Sequence, residues 1–200
     1  MDTVESETLF FSSESNGTQL SPWEFDAAEF EPGWRYELVN GVLIVNPPPS
    51  ISERDPNEEL GRLLRNYQEY HPQGASMDAT VSEQTVSIGP HRRRVDRAIW
   101  AGLGRLPRNN ETPTIAVEFV SKGKRNRSRD YDLKRAEYET AGVQEYWSID
   151  RFQHTLVAHR FEAGEVSQQT HSRQQIFTTR YLPGFELSLD ALFVFADRWR

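Results

Sequence analysis

Three side chains occupy positions that a plain scaffold would fill differently. Glu118 interrupts Ile115-Ala116-Val117-Glu118-Phe119-Val120, a run otherwise apolar and β-rich, as for a strand buried on both faces. A carboxylate there costs several kcal/mol unless it is paired, protonated, metal-bound or at a strand end facing water. Asp96 sits in Arg94-Val95-Asp96-Arg97-Ala98-Ile99-Trp100. Alternation puts it on one face with Ala98 and Trp100, and Val95 and Ile99 on the other. It either forms a local ion pair with Arg94 or Arg97 or is held for chemistry. Lys134 follows on a helical segment. At 100° per residue it shares an arc with Leu133, Tyr138 and Ala141, away from Arg129, Asp132, Arg135 and Glu139. Its stem packs there while the ammonium snorkels out, or the ammonium turns inward. Glu37, in Trp34-Arg35-Tyr36-Glu37-Leu38-Val39, is a weaker case, since a hairpin surface is its default place.

Two carboxylates on different strands and a lysine on the next helix make a hydrolytic constellation. Hard oxygen ligands suit Mg²⁺, which binds through one or two carboxylates and keeps several waters; Mn²⁺ is a substitute. Such an ion activates water and offsets charge on a phosphate oxygen. A nearby ammonium can stabilise developing charge or orient the attacking water.

Charge distribution bears on the substrate. Net charge is -7, but residues 1–31 hold eight acids and no bases, which leaves the remaining 169 residues at +1. Two basic clusters lie in that remainder. One contains Arg92, Arg93, Arg94 and Arg97; the other contains Lys122, Lys124, Arg125, Arg127, Arg129, Lys134 and Arg135, with all three lysines of the chain. A local basic surface can hold a polyanion although the whole molecule is acidic, and a charge run is equally the mark of a solvated loop. The phosphate-contact candidates are Arg92, Arg93, Arg94, Lys122, Lys124, Arg125 and Arg127.

The elements that must position these groups can be read from pattern. Residues 1–20 lack apolar periodicity and read as a flexible acidic tail, with 21–200 as a single domain. Ser21-Pro22-Trp23-Glu24 is a helix start, for a helix running to about Phe30. Arg35 to Val45 reads as a hairpin turning at Asn40-Gly41, stopped by Pro47-Pro48-Pro49. A helix is expected from Asp55-Pro56, with Leu60, Leu63, Leu64, Tyr67 and Tyr70 at helical spacing. Strands follow near 77–82, 84–88, 95–100 and 115–120, a helix over roughly 129–141 ending at Gly142, a short strand at 146–149, a hairpin around Gly164 and a terminal helix over 189–199. The mixture points to an α/β or α+β sheet with helices on both faces.

Several classes are excluded. With no cysteine, disulfides, thiol catalysis and Cys-ligated metal sites are impossible. No H-E-x-x-H, G-x-x-x-x-G-K-[ST] or G-x-S-x-G motif occurs among the 200 residues. No apolar stretch of about 18 residues suggests a membrane span, and no signal peptide fits the start, so a cytoplasmic protein is expected.

Trp34-Arg35-Tyr36-Glu37-Leu38-Val39-Asn40-Gly41 followed by Pro47-Pro48-Pro49-Ser50 resembles the opening of the Uma-type bacterial restriction endonuclease family, part of the PD-(D/E)xK nuclease superfamily. Arg94-Val95-Asp96, Ile115 to Ser121, the run from Asp130 through Lys134, Tyr138 and Ala141 to Asp150, and Leu182-Pro183-Gly184-Phe185-Glu186-Leu187 match in order and spacing. The resemblance implies a restriction-endonuclease-like mixed β-sheet core flanked by helices, with metal-dependent phosphodiester cleavage of DNA. Asp96 would be the first acid, Glu118 the second, Lys134 the lysine and Glu37 an auxiliary acid. A homodimer is expected, because cutting both strands needs two sites. The chain departs from the family pattern at Val95, where a proline is usual, at Val120, where the superfamily lysine would stand, at Ser121-Lys122-Gly123, and in Ser50–Asp55, which lacks a histidine. A nuclease fold that binds nucleic acid or protein without cutting is the alternative.

Overall fold

The computed structural model describes residues 8–121, 127–162 and 164–199, and it divides into two units, one of residues 1–48 and 87–94, the other of residues 49–86 and 95–200. In the first unit, Phe10–Phe11 (β1) pairs in parallel with Glu29–Phe30 (β2). Between them runs Pro22–Ala27 (α1). Its start is the expected one: Ser21 Oγ accepts from Glu24 N, and the Glu24 carboxylate accepts from Ser21 N at 2.7 Å. Arg35–Val39 (β3) and Val42–Asn46 (β4) form the anticipated hairpin, with Asn40 at φ 51° and Gly41 at φ 75° in its turn. Leu20, Phe25, Tyr36, Leu38 and Leu43 make a small core, with Phe11, Phe30 and Val45 against it.

Composition assigns residues 1–20 to a tail. Residues 1–7 lie outside the described residues, and the stretch after them is docked. Gly17 N donates to Leu43 O and Leu20 N to Gly41 O, each at 2.8 Å, while Phe11 and Leu20 join the core. A few apolar side chains among polar neighbours hold the segment without giving it a periodicity.

The second unit carries the larger core. Ile51–Tyr70 (α2) begins five residues earlier than the Asp55-Pro56 signal suggests, because Ser50 and Glu53 form the operative cap: the Glu53 carboxylate accepts from Ser50 N and Oγ, both at 2.8 Å. Pro56 is therefore inside the helix, where it lacks the N–H that would bond back one turn. Met77–Ile88 (β5) is one strand rather than two, kinked where Glu83 takes φ 55°. His91–Ala101 (β6) enters this unit at Val95. Ile115–Phe119 (β7), Arg127–Thr140 (α3), Glu145–Asp150 (β8), Thr155–Glu162 (β9) and Glu165–Ser172 (β10) follow. Ile176–Thr178 (β11) and Glu186–Ser188 (β12) pair with each other, and Leu189–Asp197 (α4) ends the chain's regular structure.

The strands lie in the order β10-β9-β8-β7-β6, with β5 also paired to β6. All the ladders from β6 to β10 are antiparallel except β7–β8, which is parallel and is bridged by α3. The fold is the expected α+β arrangement of a mixed sheet with helices. Ile99, Ile115, Val117, Phe119, Trp147, Ile149, Leu156 and Ala158 share one sheet face. They bury against Leu60, Leu64 and Tyr67 of α2 and Leu192 and Phe193 of α4. Ala98, Ala116, Glu118, Tyr146 and Ser148 alternate onto the other face, where the ring of Tyr138 of α3 packs tilted against that of Tyr146, centroids 5.1 Å apart. Among the described residues, no helix is long and apolar enough to cross a membrane.

Core and surface leucines should separate cleanly. Leu64 is fully buried and Leu133 is 52% exposed. Leu64→Ala should cost about 2–5 kcal/mol in urea unfolding, and Leu133→Ala less than about 0.5 kcal/mol. Equal losses would contradict this assignment of faces.

Candidate active site

The β6–β7 ladder pairs Arg97 with Val117, Ala98 with Ala116 and Ile99 with Ile115. Asp96 and Glu118 are the next residue on each strand, so both alternate onto the face of Ala98 and Ala116. They are 6% and 7% exposed. Asp96 Oδ2 accepts from the Phe119 backbone N–H at 2.7 Å, which ties the first acid to the strand end that carries the second. The Asp96 carbonyl accepts from Asn57 Nδ2 at 2.8 Å, a fixing contact from α2. Arg97 does not pair with Asp96. It lies on the opposite face, where its Nε donates to Asn57 Oδ1 at 2.7 Å and its Nη2 to Asn57 O at 2.8 Å.

Glu118 is met by two side chains of α3. Lys134 Nζ stands 3.0 Å from its Oε1, and Tyr138 Oη donates to the same oxygen at 2.5 Å. Of the two alternatives for Lys134, the structure has the inward one, with the side chain 14% exposed. The topology explains why. A parallel β7–β8 pair needs a crossover, α3 is that crossover, and its inner face passes over the residues it connects. Positions 134 and 138 are one turn apart, so both reach one spot. Tyr138 was assigned no role by sequence reasoning. The signal available was its four-residue offset from Lys134 on a shared arc.

Ser148 lies opposite Glu118 across the parallel ladder and is 4% exposed. Asp150 is 6% exposed and caps the turn after β8, accepting from Phe152 N at 2.7 Å and Gln153 N at 3.1 Å. Glu145, fully buried on the opposite face, is a scaffold carboxylate. Arg160 Nε and Thr179 Oγ1 donate to its two oxygens at 2.7 and 2.5 Å.

The remaining candidates belong to the first unit or lie outside the described residues. Glu37 belongs to the first unit, where Oε1 accepts from Arg94 N at 3.0 Å and Oε2 lies 4.0 Å from Arg93 Nη1. Arg92 is 9% exposed, and both carboxylate oxygens of Asp26 accept from its guanidinium at 2.7 and 2.6 Å, so its charge is already met. Lys122, Lys124 and Arg125 lie outside the described residues, as does the side chain of Arg127. Among the described residues, no three histidines, aspartates or glutamates gather to enclose a metal. The Asp96–Glu118 pair supplies two hard oxygen donors instead, a set that fits an ion keeping much of its water shell.

The model of the Uma2 family, described as putative restriction endonuclease, matches residues 22–190. The chain belongs to this family. Among solved structures, a putative nuclease belonging to DUF820 from Anabaena variabilis ATCC 29413 superposes with a TM-score of 0.67 at 16% identity, covering 88% of this chain and 99% of that one. At that identity the likeness concerns the fold. No curated protein matches. In this Uma2 chain the stretch Ser121-Lys122-Gly123 begins one residue after the strand that carries Glu118.

The Glu118 contacts carry a stability signature. Lys134→Met leaves a nearly buried carboxylate without its ammonium and should cost about 3 kcal/mol in urea unfolding. Tyr138→Phe should cost about 1.5–3 kcal/mol, as for a hydrogen bond to a charged group. Adding Glu118→Gln to Lys134→Met should recover part of the loss. Additive losses in the double variant would mean that the two groups are not coupled.

Proposed function

We propose that the protein is a divalent-metal-dependent endonuclease that hydrolyses phosphodiester bonds in DNA. The observation that carries this reading is the convergence of Asp96, at the middle of β6, with Glu118, near the end of β7, and Lys134 of α3. Family membership supports the nuclease class. Asp96 and Glu118 would hold Mg²⁺, or Mn²⁺ in its place. When bound, such an ion supplies a more acidic water and offsets charge on a phosphate oxygen.

The chain's own residues do the rest. The Phe119 N–H holds Asp96 in one rotamer, and Tyr138 does the same for Glu118. Pre-set acceptors need no rearrangement when substrate arrives. Lys134, 3.0 Å from Glu118, brings a positive charge to where a scissile phosphate would accumulate negative charge, or orients the attacking water. Glu37 is the proposed auxiliary acid. Arg93, Arg94, Lys122, Lys124, Arg125 and Arg127 are the proposed backbone contacts, each neutralised phosphate releasing counterion. Two copies acting together would cut both strands, in the cytoplasm. The second reading, a fold that binds nucleic acid or protein without cutting, is favoured by the departures at Val95 and Ser121-Lys122-Gly123.

Plasmid nicking decides between them. With Mg²⁺ or Mn²⁺ the protein should convert supercoiled DNA to open circles. Asp96→Asn, Glu118→Gln and Lys134→Met should each lower the rate by about 10²–10³. The ions should also raise the melting temperature of wild type but not of Asp96→Asn, since a ligand of the native state stabilises it by mass action. Salt-sensitive binding without nicking would establish the binding-only reading, and nicking unaffected by all three substitutions would move the site elsewhere.

A further inference from the structure

A second polar site lies on the other face of β6. Helix α2 and strand β5 border a pocket of about 570 Å³ lined by Gly61, Arg62, Arg65, Thr80, Arg97 and Glu58, among others. The volume is that of a small-ligand site.

Arg97 lines this pocket although the residue is only 4% exposed. Its guanidinium donates to Asn57 Oδ1 and Asn57 O at 2.7 and 2.8 Å and to Thr80 Oγ1 at 3.3 Å. These acceptors are all neutral, and they account for three of its five N–H donors. Arg65 likewise donates to neutral oxygens, Thr80 O at 2.7 Å and Gln68 Oε1 at 3.1 Å. Arg62 differs, because Glu59 takes up its charge at 2.6 Å. Among the described residues, neither Arg65 nor Arg97 has a carboxylate within ion-pair distance. Glu58, which also lines the pocket, attracts the Arg97 charge through space, and Arg65 repels it. Two guanidiniums that repel each other, one of them buried, form a site that an anion would stabilise.

The backbone is shaped to match. A Cβ at Gly61 would lie 2.5 Å from Arg97 Nη2 and 2.8 Å from Nη1. Glycine is unfavourable inside a helix. Here it allows the guanidinium to lie flat against α2.

We propose that this pocket binds a phosphate monoester through Arg97 and Arg65. The group carries about -1.5 to -2 charges at neutral pH, which matches two cations with no carboxylate at ion-pair distance better than the single charge of an internal phosphodiester does. Planar guanidinium forks suit its oxygens. The monoester would come from a free nucleotide or from the 5′-phosphorylated end of a nucleic acid. Because Arg97 and Asp96 alternate across β6, this site is distinct from the proposed cleavage centre and needs no metal.

Calorimetric titration in EDTA tests the proposal. The probes are inorganic phosphate, 5′-AMP, and one oligonucleotide with and without a 5′-phosphate. Wild type should bind at least one of the phosphate monoesters. Tighter binding of the phosphorylated oligonucleotide than of its unphosphorylated form would identify a nucleic-acid end; binding of AMP alone would identify a free nucleotide. Arg65→Gln changes an exposed side chain and Gly61→Ala crowds the guanidinium. Both should weaken binding at least tenfold while the melting curve stays cooperative, and Asp96→Asn should bind as wild type does. Absence of binding by every probe, or unchanged affinity in Arg65→Gln, would overturn the assignment. If Gly61→Ala fails to fold, Arg65→Gln alone decides.

Discussion

The constraint on which the second unit turns is the burial of the Glu118 carboxylate in a strand otherwise made of Ile115, Ala116, Val117 and Phe119. A charge there must be met by charge or by hydrogen-bond donors, and α3 supplies both. The parallel β7–β8 pairing forces a crossover, the crossover is α3, and α3 presents Lys134 and Tyr138 one turn apart. Had β7 and β8 been joined by a hairpin, no helix would pass over Glu118. The strand order, the placement of α3 and the paired aromatics Tyr138 and Tyr146 thus serve one electrostatic requirement.

The two buried glutamates of the sheet show how environment separates roles. Glu145 and Glu118 sit on neighbouring strands and opposite faces. Glu145 has each oxygen taken by a separate donor, Arg160 and Thr179, deep beside the core. Glu118 takes Lys134 and Tyr138 on a single oxygen, next to the strand end where Asp96 is fastened. The first arrangement completes a scaffold. The second gathers two carboxylates and an ammonium within two adjacent strands and the helix above them.

Much of this was legible in the sequence, for identifiable reasons. The hairpin at Asn40-Gly41 could be placed because few dipeptides tolerate two positive φ values in succession. Helical geometry put Lys134 on one arc with Tyr138 and left open which way its ammonium turned, and Glu118 stood out because of the cost of burying charge. What escaped was decided by tertiary contact. The start of α2 went to Ser50 and Glu53 rather than to Asp55-Pro56, since a cap is chosen by where the chain enters the helix. The segment before Ser21 docks through Phe11 and Leu20, too few residues to make a pattern. Leu133 shares the arc of Lys134 and yet is exposed, because the edge of an arc is not its centre. The bonds of Arg97 to Asn57, forty positions away along the chain, leave no mark in local sequence.

The seat of the cation on α3 has a consequence for recognition. Under the proposed assignment position 120, two residues past Glu118, has no part in the chemistry, and Val120 fills it with an apolar side chain only 8% exposed, its N–H bonded to Ile149 O at 2.9 Å. The strand end gains packing, and the linear signature of acid, any residue, lysine disappears from it. A search that scans strands for that signature passes over this chain. A search for an ammonium near a strand carboxylate, whichever element carries it, retrieves it, because the contact of Lys134 with Glu118 is a neighbourhood in space rather than a spacing along the chain.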